Sequence, residues 1–190
     1  MNRTSPDLKA IQQTADFNVQ FYAIIGAATS LAAELEFDLF GLYQEASGLE
    51  THAAAEIFYK YVKFSHKRDA ADQAMRALGP SATELDWSET LQMMNEVGGD
   101  GTARNLVGHN RPKQSVWVVR NGDRADVFAE NYVEQNEHLV SAERRKPQRE
   151  TYESLLAYCE RAIVCANRLR CHGYQLRRAK EQSLAPDARA

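Results

Sequence analysis

The chain has 190 residues, 44% of them hydrophobic and 26% charged, which excludes wholesale disorder and on length favours one domain. Its three cysteines, Cys159, Cys165 and Cys171, cannot pair completely and show no CxxC spacing. Neither a disulfide scaffold nor a cysteine zinc knuckle is therefore expected, and a reducing cytoplasm is. The net charge of −3 conceals an asymmetry: residues 141–180 hold ten Lys/Arg against four acids, or +6, leaving −9 for the rest. Such a segment marks either an anionic partner or a solvated helix lying on an acidic body.

In chain order, the opening residues lack the apolar run of a signal peptide. The longest uncharged stretch, 17–33, is too short and too polar to cross a bilayer, so no membrane association is expected. From Phe21 the apolar positions Ile24, Ala28, Leu31, Leu35, Leu39 and Leu42 keep a 3.6-residue stripe, predicting a long helix that Ser47-Gly48 ends. A second helix is predicted from Thr51, its N-cap, to Leu78, with Ile57, Phe58, Tyr61, Val62 and Met75 on its apolar face. Gly79-Pro80 stops it, and the two helices read as an antiparallel pair.

A third helix is predicted over about 83–97, and Gly98-Gly99-Asp100-Gly101 breaks it before a short helix over 103–108 capped by Thr102. Val116-Trp117-Val118-Val119 and Ala125-Asp126-Val127-Phe128 flank Asn121-Gly122, the strongest short signal for a β-hairpin, here 115–130. A last helix runs from about Pro147 to Glu181, with Leu155, Cys159, Leu169 and Tyr174 inside, and 183–190 reads as a frayed tail. The expected architecture is all-α: an up-down bundle of four to five helices in one domain, 1–190, with one inserted hairpin.

Arg104-Asn105-Leu106-Val107-Gly108-His109 brings a permanent cation, an amide and an imidazole into six residues. On a helix Asn105 and His109 share a face at i, i+4, and Gly108 with Pro112 lets His109 close the last turn. With the long helix carrying Ala33-Glu34-Leu35-Glu36, the helix carrying Lys67, and Trp87 ahead of the motif, the chain resembles the HEPN family (higher eukaryotes and prokaryotes nucleotide-binding) over about 17–112. The signature of that family is Arg, four to six residues, then His. Arg-Asn-x-x-x-His occurs by chance in roughly one chain in a hundred of this size.

The resemblance implies metal-independent cleavage of RNA in a cleft shared by a homodimer. His109 would be the general acid/base, Arg104 the stabiliser of the phosphorane, and Asn105 the positioning group. Arg111 and Lys113, directly after the motif, are candidates for holding flanking phosphates. No cofactor or metal is required, and the setting implied is a bacterial toxin or defence effector with an antitoxin or regulatory protein as a further partner. The alternative within the same resemblance is a non-catalytic scaffold whose cleft binds a nucleotide or a protein.

Other groups weigh less. Gly98-Gly99-Asp100-Gly101-Thr102 resembles the phosphate-binding loop of NAD kinases and diacylglycerol kinases, but that loop follows a strand, and Leu91–Val97 reads as helix. His52, His66, His138 and His172 form no metal-spaced cluster. Arg168 and His172 read as a solvated face, and Glu34, Glu36 and Asp38 as surface acids able to pair with Arg104.

Overall fold

A computed structural model of the chain describes residues 6–14, 16–98, 112–121, 124–134 and 149–184. Most of these are helical, and the class is all-α. Six helices are described: α1 (Leu8–Gln12), α2 (Phe17–Ser47), α3 (Thr51–Phe58), α4 (Phe64–Leu78), α5 (Trp87–Gly98) and α6 (Tyr152–Leu184). Three strands accompany them: β1 (Pro112–Asn121), β2 (Arg124–Glu134) and β3 (Arg149–Thr151). No helix among the described residues is long and apolar enough to cross a membrane.

The chain divides into two compact units. The first comprises 1–31 and 100–160. Its sheet has the order β1-β2-β3 and is antiparallel throughout, with Trp117 opposite Phe128 and Tyr132 opposite Thr151. The residues joining β1 to β2 lie outside those described. Phe21, Ile24, Leu31, Val133, Leu155 and Tyr158 are buried, and the rings of Phe17 and Tyr152 meet at 6.1 Å.

The second unit, 32–99 and 161–190, holds most of the helical core. Leu35, Leu39, Phe40, Leu42 and Tyr43 of α2 are buried, as are Phe58, Phe64, Met75, Met94, Val97 and Leu169. The Phe58 ring meets those of Phe40 and Tyr43, at centroid distances of 5.4 and 5.6 Å. Gly48 closes α2 at φ 68° and Gly79 closes α4 at φ 92°, backbone conformations that glycine adopts without a Cβ penalty.

Several boundaries differ from the sequence reading. The helix predicted over 51–78 is two, because Phe58 and Phe64 are six residues apart and cannot share one helical stripe. Breaking the helix at 59–63 re-phases the chain, so that Phe64, Lys67, Ala71 and Met75 all face inward while Tyr61 and Val62 are exposed. Glu50, not Thr51, caps α3, its carboxylate accepting the His52 N–H. The third helix starts at Trp87, and the last one at Tyr152, after β3. Tyr174 is 65% exposed, not inside. Helix α6 extends to Leu184, into the segment read as tail, whose remaining residues lie outside those described.

Candidate functional site

Arg104, Asn105, His109 and Arg111 lie outside the described residues, as does the short helix predicted over 103–108. What is described is the frame on either side. Helix α5 delivers the chain at Gly98, which is buried and has no room for a side chain: a Cβ there would enter the Phe64 ring. Fourteen residues on, β1 begins at Pro112. Lys113 sits in β1 opposite Tyr132 of β2. Leu91–Val97, ahead of the glycine run, lie within α5 rather than on a strand, the wrong context for a kinase-type phosphate loop.

The described residues bring together a polar group that sequence reasoning missed. His172 is fully buried, its Nδ1 2.8 Å from the Thr83 hydroxyl and its Nε2 2.9 Å from that of Thr90. Trp87 meets the imidazole edge-on at 5.4 Å, and its indole N–H donates to Asp72. Arg168 donates from Nε to the Thr90 hydroxyl and forms an ion pair with Glu89 at 2.7 Å. Burial, reinforced by the Arg168 guanidinium, pushes the His172 pKa down to about 4. The ring is therefore neutral at pH 7, one nitrogen donating and the other accepting. Closed off from solvent and fully partnered, it holds α6 against α5 and the 80–86 segment instead of transferring protons. The solvated face expected for Arg168 and His172 is thus corrected. The signal for burial was available: Cys165, Leu169, His172 and Leu176 follow one another at i+4, i+3 and i+4, and all four are buried.

Three acids of α2, Glu36, Asp38 and Glu45, are engaged as well. Glu36 pairs with the buried Lys67 at 2.5 Å, whose ammonium also lies 5.0 Å from the Tyr59 ring centroid. Asp38 pairs with Arg170 at 3.3 Å, and Glu45 meets both Arg177 and Lys180. Four of the six cations of α6 are therefore matched by acids of the same unit, whereas Arg161 and Arg178 have no ion-pair partner among the described residues. Much of the basic segment is the solvated helix on an acidic body.

Burial pushes the thiols of Cys159 and Cys165 up to about 12, so neither is a nucleophile at neutral pH. Among the described residues no group of three His, Cys, Asp or Glu is placed to hold a metal ion. Comparison with family models, curated proteins and solved structures finds no match to the chain.

Proposed function

We propose that the chain is a HEPN-type endoribonuclease that needs no metal and acts as a homodimer, built on an up-down helical bundle. The observation that carries the reading is the Arg104-Asn105-x-x-x-His109 spacing. The predominance of helix among the described residues, with α5 leading into that segment, supports it. RNA brings its own nucleophile, the 2′-hydroxyl. Its attack on the adjacent phosphorus expels the 5′-oxygen and leaves a 2′,3′-cyclic phosphate. His109 is the group with an ordinary pKa suited to moving the two protons, and Arg104 offers a planar fork of donors to the phosphorane oxygens. Asn105 positions the phosphate, and Arg111 and Lys113 hold its neighbours. The biological setting that suits such an activity is a cytoplasmic toxin or defence effector restrained by a partner protein.

The test is incubation of RNA with the full chain in excess EDTA. Wild type is expected to cleave and leave cyclic phosphate ends. His109→Ala should slow cleavage by about 10²–10⁴-fold, the usual worth of acid–base help. Intact RNA with wild type, or cleavage only when a divalent ion is restored, would overturn the proposal, and the first outcome would leave the non-catalytic scaffold in its place.

A further inference from the structure

Glu160, Val164, Asn167, Cys171, Tyr174 and Arg178 follow one another along α6 at steps of four, three, four, three and four residues, and all six are exposed. That spacing holds them in one stripe, the seven-residue repeat by which two helices pair. The stripe lies opposite the buried one of Cys165, Leu169, His172 and Leu176. Two of its members are large and apolar side chains left in solvent, Val164 at 49% and Tyr174 at 65%. Its two charged members, Glu160 and Arg178, have no ion-pair partner among the described residues.

The stripe is complementary to itself turned end over end. Its members stand in pairs equidistant from Leu169: Asn167 and Cys171 two residues away, Val164 and Tyr174 five, Glu160 and Arg178 nine. At 1.5 Å per residue the charged pair lies about 13 Å to either side of that midpoint. A second α6 laid antiparallel about a two-fold axis at Leu169 therefore brings each Glu160 to the Arg178 of the other copy. In the same register each Val164 meets the other copy's Tyr174, and Asn167 meets Cys171. A parallel copy would instead oppose like charges at both ends. An antiparallel copy slipped by seven residues would set Val164 against Glu181 and Arg178 against Asn167, leaving the charges unmatched. Arg168 and Arg170 stand at the edges of the stripe, but Glu89 and Asp38 of their own chain pair with them, so the flanks do not repel. A polyanion would meet a carboxylate at one end of this face, whereas a second copy meets the opposite charge at both.

We infer that a second copy of the chain docks antiparallel on the exposed face of α6, held by two Glu160–Arg178 ion pairs around a centre of Val164 and Tyr174. Such a contact is isologous, the same patch serving both copies. The inference gives a face to the homodimer of the ribonuclease reading and rests on that reading for the pairing of two chains, but on no residue of the Arg104–His109 segment.

Sedimentation equilibrium of the full chain over a range of concentrations tests it. Wild type should dimerise reversibly. Arg178→Glu should raise the dissociation constant about thirtyfold, since two ion pairs give way to two repulsions. Tyr174→Ser should raise it about tenfold by removing the apolar contact with Val164. Combining Arg178→Glu with Glu160→Arg should restore the dimer, because the two residues face each other only in the antiparallel register; in a parallel pair the double variant still opposes like charges. A wild type that stays monomeric to the highest soluble concentration would overturn the interface, as would a dimer that neither Arg178→Glu nor Tyr174→Ser weakens. Weakening by Arg178→Glu that Glu160→Arg fails to repair would overturn it too. Cleavage of RNA in EDTA, assayed with wild type from the same preparations, separates the two readings. A dimer that follows the charge exchange but leaves RNA intact overturns the nuclease and leaves the interface standing. Cleavage by a wild type whose mass ignores the substitutions overturns the α6 interface alone.

Discussion

His172 shows how one side chain can tie the acid stability of the fold to a single proton. Its folded-state pKa of about 4 lies below the ordinary 6.5, so between those values the unfolded chain binds more protons than the folded one. Stability from this group is complete above pH 6.5 and falls as pH drops toward 4, by about 3 kcal/mol in total. Denaturant midpoints of wild type and His172→Gln, measured from pH 7 to pH 4, check this. The variant should start lower, because a buried amide cannot satisfy Thr83 and Thr90 in the same way, but its midpoint should fall less steeply with acid. Parallel slopes would show that His172 is not the titrating group. Its burial was legible in the spacing of Cys165, Leu169 and Leu176, yet Arg168 and Arg170 nearby make the same residues read as solvated surface. Long cationic side chains can lie over a buried stripe with their heads paired at its rim, as Arg168 does with Glu89. Composition alone does not separate that case from a free surface.

At the scale of elements, the glycines report where helices are tight. Replacing a helical glycine by alanine ordinarily stabilises by up to about 1 kcal/mol, since the helix restricts glycine most. Gly26, exposed on α2 with nothing near its Cβ position, should follow that rule. Gly98, at the end of α5, should reverse it. The added methyl would enter the ring of Phe64, which is buried at the start of α4, and overpacking of this kind costs about 2 kcal/mol. In a chain of this size that corresponds to a fall in Tm of about 6 °C, against a rise for Gly26→Ala. Thermal unfolding of the two variants decides the matter, and a rise for both would show that α4 and α5 part easily. Sequence periodicity revealed the long stripe of α2 because its spacing stays unbroken for about six turns, from Phe21 to Leu42. It failed at 59–63, where Tyr61 and Val62 continue an apolar pattern that the fold leaves in solvent, and at β3, since three residues carry no period at all. The candidate site was legible only as a motif: Arg104, Asn105 and His109 are recognised by type and spacing, and the described elements constrain where the segment begins and ends, not its geometry.

Over the whole molecule, the charge that draws an anionic ligand depends on what the acids leave unmatched. The formal surplus of 141–180 suggests a strongly basic arm, but Glu45 alone takes up Arg177 and Lys180, and Asp38 and Glu89 take up two more cations. Ion pairs whose cations are exposed, as Arg177 and Lys180 are, contribute little to folding, about 0–1 kcal/mol each, so the cost of breaking one is small. The effect on an RNA ligand is larger, because each cation released from its acid becomes available to displace counterions from a phosphate. Glu45→Gln should therefore leave the unfolding midpoint nearly unchanged while tightening oligouridine binding several-fold at low salt. The slope of log affinity against log salt should steepen by about 0.7 for each of the two freed cations that reaches a phosphate. Anisotropy titrations over a range of KCl, run beside Glu153→Gln in the first turn of α6 as a charge-matched control, distinguish a local release from a change in net charge. Equal tightening in both variants would mean that RNA senses only the overall potential. Tightening confined to Glu45→Gln would mark Arg177 and Lys180 as a reserve of cations that the acid of α2 holds in check.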